Sequence, residues 1–300
     1  MKNDETTAER IIAADILAAL TELRNREVLY LPNTGNAGDS LIAAATYQVF
    51  SRLSIKYKIV NNGTPVEKVT GKVLILGGGG NLIPNYGTIK AAISKFHKVV
   101  DKLILLPHTV RGNEDLLQNL GGNCWIFCRD VPSYVHVLSN CDEAKVYLSH
   151  DMALHTDPGK ILFDIEDLQG AQFAFKEKLE SLSIDLSLDK IREEAYYMRQ
   201  DREAARIYPR YDLDISQAFA FGVNPQAAFK SSWCLLEAIR VVESVKTDRL
   251  HVGISSHLLD KKCTLLNNSY GKNFEVWRHS LKKISRCVSF QNSEHKVEAR

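Results

Sequence analysis

Charge of one sign is what this sequence most clearly lacks. Its 38 Lys and Arg stand against 36 Asp and Glu, a formal net charge of +2. That balance excludes a broad cationic face for nucleic acid as the default reading, while leaving room for local basic pockets. Also missing is any apolar stretch of the roughly 18 residues that a bilayer span needs. The N-terminal MKNDETTAER is too acidic for a signal-peptide start, and Asp15 interrupts the apolar run behind it. Paired cysteine motifs are absent too: of Cys124, Cys128, Cys141, Cys234, Cys263 and Cys287, only the first two are close, with no second CxxC or His pair. A structural zinc site is therefore excluded, and buried reduced thiols are expected. No HxxE, HExxH or carboxylate-rich cluster signals a metal, so neither metal nor cofactor is expected. Together these absences point to a soluble, cytoplasmic protein.

What is present is alternation. With 300 residues and 25% charged side chains the chain reads as globular, one large domain or two ordinary ones. Helical spacing of Ile12, Ile16, Leu20 and Leu23 predicts an amphipathic lead-in helix over Thr6–Arg24. Short apolar runs then alternate with helical segments: Val28–Leu31, Val73–Leu76, Leu103–Leu106, Trp125–Cys128 and Val146–Leu148. Each run ends in a polar or glycine-rich cluster. Residues 157–190 turn polar and helical, and a second series follows at Ala195–Met198, Ser244–Lys246 and Cys263–Leu266. The expectation is an α/β fold of two Rossmann-like domains facing across a cleft, divided as 1–157 and 158–300. Parallel sheets of this kind bind ligands at the carboxyl ends of their strands.

The candidate residues sit at those ends. Asn33-Thr34-Gly35-Asn36-Ala37-Gly38-Asp39 reads as an anion or ligand cradle opening a helix, or as a helix cap at Asp39 or Ser40 after a tight turn. It lacks the P-loop lysine, which disfavours a nucleoside triphosphate. Gly77-Gly78-Gly79-Gly80-Asn81 calls for close approach of the backbone to a ligand or to a packed element. Arg129, Arg199 and Arg249 each follow a strand, where a guanidinium can grip phosphate or carboxylate in two-pronged fashion. His251 lies two residues past Arg249, on the same face if the segment is extended. His108 and His150 are either ligand contacts or satisfied structural histidines, and Asp39, Asp130 and Asp151 are candidates for orienting hydroxyls.

The ordered set NTGNAGDSLI, GGGGN, LPHTVRGNE, CRDVPSY, HDMAL, YYMRQDRE and TDRLHVGI, from Asn33 to the region of Leu281, resembles the polysaccharide pyruvyl transferase family, closest to bacterial exopolysaccharide and capsule members. The resemblance implies a GT-B-like fold and transfer of pyruvate from phosphoenolpyruvate to a sugar of a polysaccharide repeat unit, forming a ketal. It assigns phosphoenolpyruvate to the C-terminal half and the acceptor to the N-terminal half. His251, Arg249 and Asp39 become the expected catalytic residues. Asn33, Gly35, Asn36, Gly38, Gly78, Gly79, Asn81, His108, Arg129, Asp130, Arg199 and Lys272 become the expected substrate-binding ones, Lys272 from a segment, Ser269–Asn273, to which the resemblance attaches no firm role. The implied partners are phosphoenolpyruvate and a saccharide, lipid-linked, with peripheral membrane contact at most. Two other functions keep the architecture: a nucleotide-sugar glycosyltransferase and a silent saccharide-binding component of an assembly complex.

Overall fold

Continuous Val, Ile and Leu runs bury both faces of a strand, so the strands they form are parallel and need helical crossovers. The computed structural model describes residues 15–292 and is mixed α/β throughout. Of the expected lead-in helix only Ile16–Thr21 is helical within the described residues, capped by Asp15 on the Leu17 amide. Residues 6–14 lie outside them. The chain divides into two compact units.

Within the described residues the first unit comprises residues 15–34, Ile42–Thr156 and Val223–Pro225. Its strands are β1 (Glu27–Leu31), β2 (Lys56–Ile59), β3 (Val73–Leu76), β4 (Gly79–Leu82), β5 (Lys102–Val110), β6 (Cys124–Cys128) and β7 (Lys145–Leu148). They form one parallel seven-stranded sheet ordered β2-β1-β3-β5-β6-β7, with β4 also paired to β5. Helix Thr88–Phe96 shows why the sheet is covered: Ile89, Ala92, Ile93 and Phe96 recur at helical spacing and are all fully buried in the core with Leu29, Leu74 and Leu103.

Two expectations are corrected here. The third apolar run does not stop before Pro107-His108; β5 continues through both to Val110. Proline lacks an N–H, yet it is tolerated because the ladder is interrupted on each side of it, between Leu105 and His108 toward β6 and between β3 and β4 on the other flank. The glycine-rich cluster expected to end the second run is likewise partly strand, since Gly79 opens β4.

Within the described residues the second unit comprises Gly35–Leu41, Asp157–Gly222 and residues 226–292. Four parallel strands, β8 (Ala195–Tyr197), β9 (Ser244–Thr247), β10 (Lys262–Leu266) and β11 (Val288–Gln291), follow one another in the order β11-β10-β9-β8. The segment after β9 is not extended as expected. Helix Leu250–Leu258 starts at once, with Arg249 as its N-cap residue. All six cysteines are free and five are buried. Burial pushes the thiols of Cys124 and Cys141 up to about 11 and those of Cys234 and Cys263 to about 12, out of the reactive range. Among the described residues no helix is long and apolar enough to cross a membrane.

Candidate active site

In the first sheet the strand order reverses at β1, with β2 on one flank and β3 on the other. Crevices open at such reversals, beyond the carboxyl ends of the strands. Asn33 stands there, buried, its Nδ2 donating to the Gly78 carbonyl (3.2 Å) and its Oδ1 accepting from Asn81 Nδ2 (2.6 Å). A carbonyl only accepts, so Gly78 fixes the orientation of both amides and turns Asn81 Oδ1 toward His108 Nε2 at 3.1 Å. The Asn81 main-chain N–H lies 3.2 Å from the same nitrogen. The first contact needs a proton on Nε2 and the second a lone pair, so Asn81 accommodates either tautomer of this fully buried histidine. A Cβ on Gly77 would collide with the Asn33 amide, and one on Gly78 would lie 2.8 Å from the Pro107 carbonyl. Close packing of strand ends therefore accounts for these two glycines without a ligand.

Arg129 does not project as expected. With 1% exposure, its Nε donates to Thr109 Oγ1 (2.9 Å) and its Nη1 to Asp151 (2.7 Å). Asp130 caps helix Val131–Asn140 through the Ser133 amide (2.9 Å) and accepts from Ser133 Oγ, Thr109 Oγ1 and Arg111 Nη2 as well. Three of these bonds fall on Oδ1 and one on Oδ2, which commits the carboxylate to local structure. As placed, the pair ties together the ends of β5, β6 and β7.

In the second unit the turn before helix Ala37–Arg52 is a reciprocal cap. The Asn36 carbonyl accepts from the Asp39 and Ser40 amides, Asn36 Oδ1 accepts from Gly38 N (2.8 Å), and Asp39 Oδ2 accepts from Asn36 N (2.9 Å). This is a capping box, and any Cβ on Gly35 would collide with the Asp39 carboxylate. Gly38 has a different neighbour: a Cβ there would lie 2.8 Å from His251 Cγ and collide with Nδ1. The imidazole thus rests on the first turn of the helix, which joins the N-terminal motif to Arg249 and His251.

Arg249 holds the centre of a buried ion cluster. Its Nε donates to Asp214 Oδ1 (3.0 Å), its Nη2 pairs with the other oxygen of Asp214, and its Nη1 lies 2.9 Å from Asp201 Oδ2. Arg199 meets the same Asp201 through Nε (3.0 Å) and meets Glu203 through Nη1 (2.8 Å). Lys272 Nζ reaches the same Glu203 oxygen at 2.8 Å. Two predicted arginines and the predicted lysine are therefore brought together, and Asn273 stabilises the site by donating to the carbonyls of Asp248 and Leu266. Burial favours the neutral form of Asp201, but Arg249 and Arg199 outweigh it and hold the carboxyl below its ordinary value. Asp248 goes the other way: burial pushes it up to about 6 although Oδ1 accepts from Arg199 N (2.8 Å), and its Oδ2 has no hydrogen-bond partner among the described residues.

Asp201, Glu203, Asp214 and Asp248 were not singled out from the sequence. A rule could have found them: a buried arginine requires a carboxylate. Nothing in the spacing says which one, because Asp214 and Arg249 are 35 positions apart.

Comparison with known proteins extends these observations. Residues 36–270 match the profile of the family described as Polysaccharide pyruvyl transferase. A protein of Bacillus subtilis (strain 168), named "Putative pyruvyl transferase EpsO", is 28% identical over 288 residues, covering 85% of this chain and 86% of that protein. The crystal structure of protein KP1_0663 from Klebsiella pneumoniae subsp. pneumoniae NTUH-K2044 is similar with a TM-score of 0.71 and 28% identity, over 97% of this chain and 99% of that one.

Proposed function

The chain belongs to the polysaccharide pyruvyl transferase family and is a transferase that moves pyruvate onto polysaccharide; from that premise we propose that phosphoenolpyruvate is the donor and that the product is a pyruvate ketal on a sugar of an exopolysaccharide or capsule repeat unit. The observation that carries this reading is the meeting of Arg199 and Arg249 on one carboxylate, with Lys272 joined through Glu203. Cations so disposed suit a small ligand bearing both a carboxylate and a phosphate. The donor side belongs to the C-terminal half and the acceptor side to the N-terminal half, where Asn33, Asn81 and His108 lie at the strand-order reversal. The likeness to GT-B-type folds, the lipid-linked acceptor and the cytoplasmic location belong to the same proposal.

His251 delivers a proton to the enol carbon C3, which leaves C2 electrophilic. A sugar hydroxyl attacks C2 and loses its proton, with Asp39 or His108 orienting or receiving it. A second hydroxyl then forms the other C2–O bond as the bond from C2 to the phosphate oxygen breaks. The diol contributes two protons, one ending in the new methyl group and one on phosphate, so atoms and charge balance. The test is phosphate release from phosphoenolpyruvate over a panel of sugar acceptors, with mass spectrometry for the adduct. His251→Ala is expected to lower that release by about 10²–10⁴-fold with the circular-dichroism melt unchanged. Turnover within a few-fold of the parent would remove His251 from this role.

A further inference from the structure

The carboxylates around the two arginines are not equivalent. Asp214 is fixed: its side chain is 5% exposed, it engages Arg249 with both oxygens, and it caps helix Ile215–Ala218 through the Gln217 amide. Glu203 is 9% exposed and shared by Arg199 and Lys272. Asp201 is 31% exposed and lies on the irregular segment between β8 and Ile215; apart from the arginines, its carboxylate accepts from the Glu203 amide (3.0 Å) and its carbonyl from the Ala204 amide (2.9 Å). It nevertheless bridges Arg249 Nη1 and Arg199 Nε, the remaining sides of the two guanidiniums being engaged by Asp214 and Glu203.

Charge makes the same distinction. Arg199, Arg249 and Lys272 are balanced by Asp201, Glu203 and Asp214, with Asp248 behind them. Cations already matched by carboxylates offer an incoming anion little attraction unless one carboxylate withdraws, and Asp201 is the most exposed of those that pair with them.

We infer that Asp201 is an internal competitor: its carboxylate occupies the position between Arg199 and Arg249 that the substrate's anionic group takes, and it is displaced into solvent when that group binds. This rests on the phosphoenolpyruvate reading for the identity of the ligand, but not for the displacement. A tethered carboxylate acts at an effective concentration in the millimolar range. A ligand with a single acidic group loses that competition, whereas one with a second anionic group, engaging Lys272 or His251, wins it. Asp201 thereby sets affinity and disfavours retention of the phosphate product.

Titration calorimetry with phosphoenolpyruvate and, separately, inorganic phosphate tests this on the full chain. Asp201→Asn, and Asp201→Ser as a second variant, are expected to tighten both by roughly tenfold, the scale of one desolvated charge pair. Asp185→Asn, which removes an exposed carboxylate in the turn after helix Leu168–Ser181, should change neither. Equal or weaker phosphate binding in both Asp201 variants, with melts like the parent, overturns the inference and makes Asp201 a support for the arginines. Tightened phosphate binding with no phosphoenolpyruvate binding in any form would uphold the displacement and overturn the donor assignment.

Discussion

At Asp248, burial outweighs the pull of Arg199 and Arg249, so the folded chain holds this proton more tightly than the unfolded chain does. As pH rises, the unfolded state releases its proton first, near 3.9, and the folded state near about 6. The stability contributed by this group is therefore complete below about pH 4 and lost between about 4 and 6. Asp248→Asn has no such proton to lose. Urea unfolding at pH 4 and pH 7 should show the parent losing up to about 3 kcal/mol more than the variant over that interval. Parallel behaviour of the two proteins would refute the assignment. The Asp248 effect was hidden in the sequence, where the residue is one more acid in TDRLH; its burial and an Oδ2 without a hydrogen-bond partner among the described residues distinguish it.

Among the elements, helix Ala37–Arg52 was legible as a start signal, but its N-cap is Asn36 and not Asp39 or Ser40; Asp39 closes the box from the third helical position. Asn36 and Asp39 form the cap, while Gly38 makes room for His251. Replacing Gly38 tests the contact. A Cβ there would lie within 3 Å of His251 Nδ1, Cγ and Cβ, so Gly38→Ala should lower the melting temperature despite alanine's better helix propensity. Its methyl group also displaces the imidazole, and phosphate release at a temperature where the variant is folded should fall at least about tenfold if His251 acts as proposed. A variant as active as the parent would show that the contact is only packing. Strand β5 was less legible, because Pro107 reads as a breaker and only its neighbours' register interruptions make it tolerable. The helix at Leu250 was concealed in the same way: Thr247 to His251 carries no glycine or proline to mark a change of element, and the Thr247 hydroxyl accepting the Arg249 amide (3.0 Å) is what turns the chain.

For the molecule as a whole, the two units rest on different kinds of polar interior. The first encloses Arg129 with Asp151 at 2.7 Å, a pair with no more than 1% exposure on either side. Arg129→Met strands a buried carboxylate and should cost about 3–5 kcal/mol in urea unfolding, and adding Asp151→Leu should recover most of it. A loss below about 1 kcal/mol would mean that the pair is not structural and would return Arg129 to the candidate ligands. Sequence by itself determined the strand runs of β1, β3 and β5 to β10 and the motif residues, because apolar periodicity and turn chemistry are local properties of the chain; β2, β4 and β11, which lack a continuous apolar run, escaped it. Tertiary structure alone decided which of the buried arginines has a sealed partner and which share a partly exposed one. Arg129, Arg199 and Arg249 look alike at the ends of their strands, and their difference lies in carboxylates contributed by distant segments: Asp151 in a sealed pair for Arg129, and a partly exposed, exchangeable Asp201 for Arg199 and Arg249. Long-range pairing of buried charge follows from the need to neutralise it, and no spacing within the sequence encodes that need.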